Sequence, residues 1–357
     1  MRFEDVFTAK SVAFRLTQDP SNSMDYLGKQ FFPAAKKLGV DLKWIKAHSG
    51  LAVALKPSAY DAMSTIRPRK GFQMQATEMP LFRESMTIKE IDQLHITRAM
   101  DSNDPFVADV IAHIYDDVAE LRDGAEVAAE RMRMALMAPA SGNMDLSIGM
   151  ADQTVYNYDY DPNGAWATTN YKGLTSTAEW NSTNVATAVP LTDIDTAKDA
   201  LSAKGYIARY MLMNSATLKK MLACKQVQDM YLSKVGLNVT YVNPAAARQA
   251  VSDVTGLTIL VYDKKYIDYD GTSKKFYPDD YVSIIGDAVL GRTWYGSTPE
   301  ELTLVGAPDV DVALYDNRIA IAQKVEYGPP VRRDTTVAQV CLPSFEGMDA
   351  LYVLKVD

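Results

Sequence analysis

The sequence predicts an α+β fold, and three of its features carry that reading. One helical periodicity runs unbroken from Asp104 to Met137, helices and strands alternate from Leu191 onward, and the stretch after Val310 holds strands only. With 357 residues there is chain for about two domains. A hydrophobic share of 47% against 23% charged residues is globular composition, so the chain folds around cores and is not a disordered scaffold.

Residues 1–43 mix apolar pairs such as Val6-Phe7 and Phe31-Phe32 with polar turns such as Asp19-Pro20-Ser21-Asn22. They read as an N-terminal arm with a short helix from Thr8 to Leu16. Residues 44–97 read as a long two-stranded flap. Leu51 to Lys56 is strand-like, Pro57-Ser58 breaks it, and Gly71 to Gln75 alternates apolar with polar. Between them Ile66-Arg67-Pro68-Arg69-Lys70-Gly71 forms a basic turn at the flap tip. Such a ribbon is unstable alone and needs a surface to lie on.

The helix comes next. Asp104 is its N-cap and Pro105 its first residue, and Pro139 ends it. At 1.5 Å per residue it is roughly 50 Å long, nearly three times the usual globular length. Val110, Ile114, Val118 and Leu121 recur at helical spacing and are its expected buried stripe. Asp109, Asp116, Asp117, Glu120, Arg122, Glu126, Glu130 and Arg133 are expected to cover the other face, and Gly124 is a plausible bend point.

Residues 98–190 group this helix with strands at Leu146–Met150 and Thr154–Tyr158 and a Thr/Asn-rich loop from Asn163 to Asn184. Residues 191–309 form an α/β unit. Its expected helices are Ile194–Ala203, capped by Gly205, Ser215–Ser233 and Pro244–Val254. Its expected strands are Ile207–Met213, Thr258–Tyr262 and Tyr281–Ile285. Residues 310–357 are return strands at Val310–Leu314, Ile319–Glu326, Val337–Leu342 and Leu351–Val356.

Chemistry is hard to find. Asp159-x-Asp161-x-Asn163-Gly164 opens like a calcium loop, but its twelfth position is Asn170 and the flanks are not helices, so a polar turn is the better reading. His113 with Asp109 and Asp117 has helical spacing but no further ligand, and reads as a solvated face. No phosphate loop, dinucleotide fingerprint, nucleophile elbow or zinc-protease motif occurs, so no cofactor, metal or catalytic residue is expected. Cys224 and Cys341 are far apart and read as buried small apolar side chains. A net charge of −8 argues against an open nucleic-acid-binding face and suits a wall that must not grip packaged polyanion. The N-terminus lacks the pattern of an export signal, and no apolar run is long enough to cross a membrane.

The order of arm, flap, very long helix, strand layer, α/β unit and return strands resembles the Hong Kong 97 phage capsid fold, with its N-arm, E-loop, spine helix, peripheral domain and axial domain. Two stretches are similar to the lambda-type E family of major capsid proteins. Ser49 to Ser58 with Ile66 to Gly71 looks like that family's strand into the E-loop and its basic tip. Phe276 to Gly286, followed by Leu290 to Ser297, looks like its Pro-Asp-Asn strand and Gly-rich segment.

The resemblance implies a structural protein and not an enzyme. It would form pentamers and hexamers that close into an icosahedral shell around double-stranded DNA, in the virion, after assembly in the host bacterial cytoplasm. It implies a separate scaffolding protein, a portal and, in some relatives, a decoration protein, with no membrane partner. Arg67, Arg69 and Lys70 are the expected inter-subunit contact at the E-loop tip. Two alternatives stand beside this reading: an encapsulin-type cellular compartment, and an α/β enzyme using residues 191–305.

Overall fold

The computed structural model describes residues 8–18, 25–46, 73–88, 90–91, 93–94, 106–149, 155–235, 243–268, 270–303, 310–326, 328 and 331–357. The chain begins with α1 (Ala9–Gln18), α2 (Gly28–Phe31), β1 (Ala34–Lys36) and β2 (Asp41–Lys46), followed by β3 (Gln73–Glu78) and β4 (Leu81–Ile88). The long helix α3 (Phe106–Met137) leads to β5 (Asp145–Gly149), β6 (Val155–Asp159), α4 (Ala165–Asn170) and β7 (Tyr171–Gly173). Then come α5 (Pro190–Ala203), β8 (Ala208–Met213), α6 (Ser215–Ala223), α7 (Lys225–Val235), α8 (Pro244–Thr255) and β9 (Thr258–Val261). β10 (Lys265–Ile267), β11 (Ser273–Lys275), β12 (Tyr281–Gly286), β13 (Arg292–Tyr295) and α9 (Pro299–Thr303) follow. The chain closes with β14 (Val310–Tyr315), β15 (Ile319–Glu326), β16 (Arg332–Ser344) and β17 (Leu351–Lys355).

Two compact units share these elements, and the chain passes from one to the other within α3, between Met132 and Arg133. In the first unit, the 13-residue strand β16 is the hub. Its first half pairs with β15 on one side and β4 on the other, and its last residues pair with β13. The β4 register runs from Leu81↔Val340 to Ile88↔Arg333, so β4 is fixed along the hub. β2 and β3 pair as a separate two-stranded ribbon. The expected strand Leu51–Lys56 lies outside the described residues.

Helix α3 buries Val118, Leu121, Ala125, Ala129, Met132 and Leu136, each three or four residues after the last, as an amphipathic helix must. Val118, Leu121 and Ala125 share one apolar cluster with Val12 and Leu16 of α1, Ile319 and Ile321 of β15, and Val337 of β16. Helix α1 therefore sits where its own apolar face can leave water. Gly124 faces solvent with open space around it, and α3 runs continuously past it.

The second unit is built on a five-stranded sheet in the order β7-β17-β12-β8-β9. The central strand β12 buries Val282, Ile284 and Ile285 completely, and lies antiparallel to both β17 and β8. Buried Ser283 has its hydroxyl satisfied by the Met137 carbonyl at 2.6 Å and the Tyr277 hydroxyl at 2.7 Å. Helix ends follow local chemistry. The Asn214 side chain accepts from the Thr217 N–H ahead of α6. Pro244 starts α8, and Gly256 ends it at φ +70°, a left-handed position where a Cβ would be strained.

Three expectations need correction. The helix expected from Ser215 to Ser233 is two, because Cys224 between α6 and α7 is extended (φ −64°, ψ 138°). That break lets Met221 and Leu222 on one side, and Val227 and Tyr231 on the other, all be buried. Burial pushes the Cys224 thiol up to about 11, as expected of a packing residue and not a reactive one. The segment expected as a loop from Asn163 to Asn184 contains α4 and β7. It is ordered by tertiary bonds: the Trp166 indole donates to the Met348 carbonyl at 2.8 Å, and the Asn170 amide donates to the Leu351 carbonyl at 2.7 Å. Finally, β17 pairs with β12 and β7 in the second unit, apart from the return strands β14 to β16. Its side chains Leu351, Val353 and Leu354 are fully buried there.

Replacing Val118 with Asp places a carboxylate among Val12, Leu16, Ile319 and Val337 of the apolar cluster. The variant should lose on the order of several kcal/mol and accumulate as insoluble protein. Recovery of soluble subunit with the wild-type unfolding midpoint would show that the stripe is not core.

Candidate functional site

Of the residues singled out in the sequence, Arg67, Arg69 and Lys70 lie outside the described residues. Val110 and Ile114 fall within α3, but their side chains lie outside what is described. Val118 and Leu121 are 2% and 5% exposed and lie together in the cluster with α1.

The main departure from the sequence reading concerns the charges of α3. Asp116, Asp117 and Glu120 do face solvent. Arg122, Glu126, Glu130 and Arg133, expected beside them, are instead buried, none more than 7% exposed. Their spacing of four, four and three residues keeps them on one side of the helix, directly alongside the apolar stripe. A buried charge is costly unless paired, and the surroundings are arranged to pair these.

Glu126 receives the Lys29 ammonium at 3.1 Å and the Arg318 guanidinium at 3.4 Å. Glu130 accepts the Gly28 N–H at 2.9 Å. The arm is thus fastened to α3 through consecutive residues at the start of α2, and Lys29 also lies over the Tyr26 ring. Arg318 is bonded to Asp316 and lies 5.3 Å from the centre of the Tyr295 ring. Arg122 donates from Nε and Nη2 to Asp123 Oδ1 and sits over Tyr315. Burial pushes the Asp123 carboxyl above its usual range, with the Arg122 hydrogen bond and charge working against it. Elsewhere in the unit, Arg83 on β4 meets Glu300 of α9 at 2.5 Å, and Lys36 on β1 meets Glu301 at 2.8 Å.

An open groove of about 480 Å³ runs between α1 and β14, lined by Ala13, Phe14, Thr17 and Leu314 with Lys10 and Glu301 as its charged groups. Glu301 is already bonded to Lys36, so no set of polar groups converges there to do chemistry. Among the described residues no group of His, Cys, Asp and Glu is placed to hold a metal ion. The calcium-like stretch is a turn: Asp159 accepts the Asp161 N–H, and Asp161 accepts the Trp166 N–H at 2.7 Å, capping α4. No described helix is long and apolar enough to cross a membrane. What the site does is fasten α2, β4 and a hairpin turn to one helix and one strand.

Residues 8–339 match the family model described as phage major capsid protein E. A comparison with curated proteins gives no match. Among solved structures the chain is similar to the capsid protein of a prophage of Escherichia coli CFT073, at 15% identity over 98% of this chain and 99% of that one, with a TM-score of 0.61. It is also similar to a phage-related protein from Bordetella bronchiseptica RB50, at 13% identity over 98% and 97%, with a TM-score of 0.53. The cyanophage A-1(L) capsid gives 8% identity over 94% and 96%, with a TM-score of 0.50. At such identities the likeness is one of fold, that of the Hong Kong 97 type.

The paired charges make a direct test. Glu126→Ala leaves both Lys29 and Arg318 without their carboxylate and should destabilise the subunit by about 3 kcal/mol, whereas Glu130→Ala should cost about 1–3 kcal/mol. Urea unfolding of the purified subunits measures both. Losses under about 0.5 kcal/mol for both variants would show that the charges behave as a solvated face.

Proposed function

The chain belongs to the phage major capsid protein E family, and on that premise we propose that its copies close, as pentamers and hexamers, into an icosahedral shell around double-stranded phage DNA. The protein is a structural subunit of the capsid and not an enzyme, it self-assembles, and its place is the virion. The family match across residues 8–339 is the observation that carries this reading. It also favours a phage shell over a cellular compartment.

In this reading residues 1–43 are the N-arm, 44–97 the E-loop, α3 the spine helix, and 191–309 the bulk of the axial domain. Curvature is set by a separate scaffolding protein, DNA enters through a portal, and assembly takes place in the host bacterial cytoplasm. A decoration protein is a further partner of such shells. A closed shell repeats one heterologous contact many times, so elements of little use to a monomer, such as a long flap, become useful. The net charge of −8 supports a wall that holds DNA without binding it tightly.

The E-loop tip, with Arg67, Arg69 and Lys70, is assigned to acidic surface on a neighbouring subunit. Each tip need supply only about 1 kcal/mol, because closure multiplies it over the shell. Changing all three to Glu should leave the circular dichroism spectrum of the subunit unchanged. Electron microscopy of cells that also express the neighbouring phage genes should then show uniform shells for the wild type and none for the triple variant. Wild-type shells of normal yield from the triple variant would remove the tip from the interface, and uniform shells from this gene alone would remove the separate scaffold.

A further inference from the structure

The turn ahead of α4 holds chemistry that the shell reading does not use. Asn163 is the only asparagine of the sequence that is followed by glycine. Residues 162–165 face solvent, and Gly164 has φ +64°, a left-handed conformation that glycine adopts at little cost. A Cβ built on Gly164 would meet open space, with no heavy atom beyond its chain neighbours within 4 Å. The Gly164 nitrogen thus has no side chain beside it and room on that side. Its N–H donates to the Asp161 carbonyl at 2.9 Å, a single bond of an exposed turn, so little has to open to free it. Elsewhere in this unit the carboxamides of Asn170, Asn181, Asn184 and Asn214 each donate a hydrogen bond, which holds them in place.

We propose that Asn163 is a site of self-modification, converting to aspartate and isoaspartate, and that the change loosens the cap of α4. Hydroxide takes the proton from the Gly164 nitrogen, giving water, and the nitrogen's electron pair attacks Cγ of Asn163. The C–N bond forms as the carbonyl π electrons move to Oδ1. Collapse breaks the Cγ–Nδ2 bond, and the leaving nitrogen takes a proton from water and departs as ammonia, which restores the hydroxide. The product is a succinimide ring closed by the main-chain nitrogen. Water then adds to either of its carbonyl carbons. Opening between Cγ and nitrogen leaves aspartate, and opening between the main-chain carbonyl carbon and nitrogen leaves isoaspartate. In sum water is consumed, ammonia is released, and nothing is oxidised or reduced. Attacker and target lie in adjacent residues, so no encounter is needed. The isoaspartate form runs the chain through the side chain and adds a methylene between Asp161 and Trp166. The Asp161 carboxylate holds the Trp166 N–H at 2.7 Å and so caps α4, and the longer chain pulls that pair apart.

The test is ageing of the purified, folded full-length subunit at mildly alkaline pH, followed by peptide mapping and by labelling with an isoaspartyl methyltransferase. Asn163 should be lost in step with the release of ammonia, faster as the pH rises, and aspartate and isoaspartate should appear at that position. Asn163→Gln lengthens the side chain, disfavours ring closure, and should keep its amide over the same time. Hydrogen exchange at the Trp166 main-chain N–H should be faster in the converted protein than in the fresh one. Asn163 left intact in the folded subunit, while protein aged in urea converts there, would overturn the site, because the turn then protects it. Conversion at other asparagines with Asn163 untouched would overturn it equally. Unchanged exchange at Trp166 after conversion would overturn the loosening. None of these outcomes depends on shell formation, so the capsid reading can stand when the inference fails.

Discussion

A helix that buries charge next to apolar surface dictates much of what surrounds it. On α3, Val118, Leu121 and Ala125 stand beside Arg122, Glu126 and Glu130, and both stripes are buried. The apolar stripe gains by contact with any apolar surface, but the charges demand specific partners. The start of α2 supplies the Lys29 ammonium and the Gly28 N–H. The turn between β14 and β15 supplies Arg318, brought round by two left-handed residues, Asp316 and Asn317, whose side chains tolerate that conformation. Hydrophobic burial provides most of the stabilisation, while the charges select which arm position and which hairpin register are compatible with it. The selective role fits the general finding that buried ion pairs add little net stability.

The second constraint is the hub strand. β16 serves three neighbours along 13 residues: β15 and β4 flank its first part, and β13 takes over at Tyr295↔Cys341. Because side chains alternate along a strand, a slip of one residue would expose the whole inner face, so the β4 register is tightly fixed. Within β4, Arg83 is pinned to Glu300. β4 is thereby anchored by both register and charge. A shell subunit needs elements fixed in this way, since identical contacts must recur between copies.

Much of this was legible in the sequence, and the failures have physical reasons. The helix from Phe106 to Met137 was readable because its period is long and its boundaries are prolines. Its buried charges were not, because Glu and Arg at four-residue spacing look the same whether water or Lys29 and Arg318 lie opposite. The available signal was their phase: residues 122, 126, 130 and 133 each follow directly after an apolar residue of the buried stripe. The order in 165–173 was hidden because it comes from Trp166 and Asn170 bonding to residues near 350, far along the chain. The break at Cys224 was hidden because no proline or glycine marks it. β17 could not be placed in the second unit from pattern alone, because strand patterning reveals burial but not the partner strand. The candidate site was legible in part. Val118 and Leu121 were readable as core, while the fastening role of Glu126 and Glu130 required knowing what packs against them.

The account makes the chain a capsid subunit whose copies build one large closed wall. Sedimentation velocity on the wild-type protein, assembled with its neighbouring phage gene products and freed of nucleic acid, measures this directly. The account requires a narrow boundary at the megadalton size of a closed shell, in exchange with little free subunit. A discrete small oligomer at every protein concentration would contradict it.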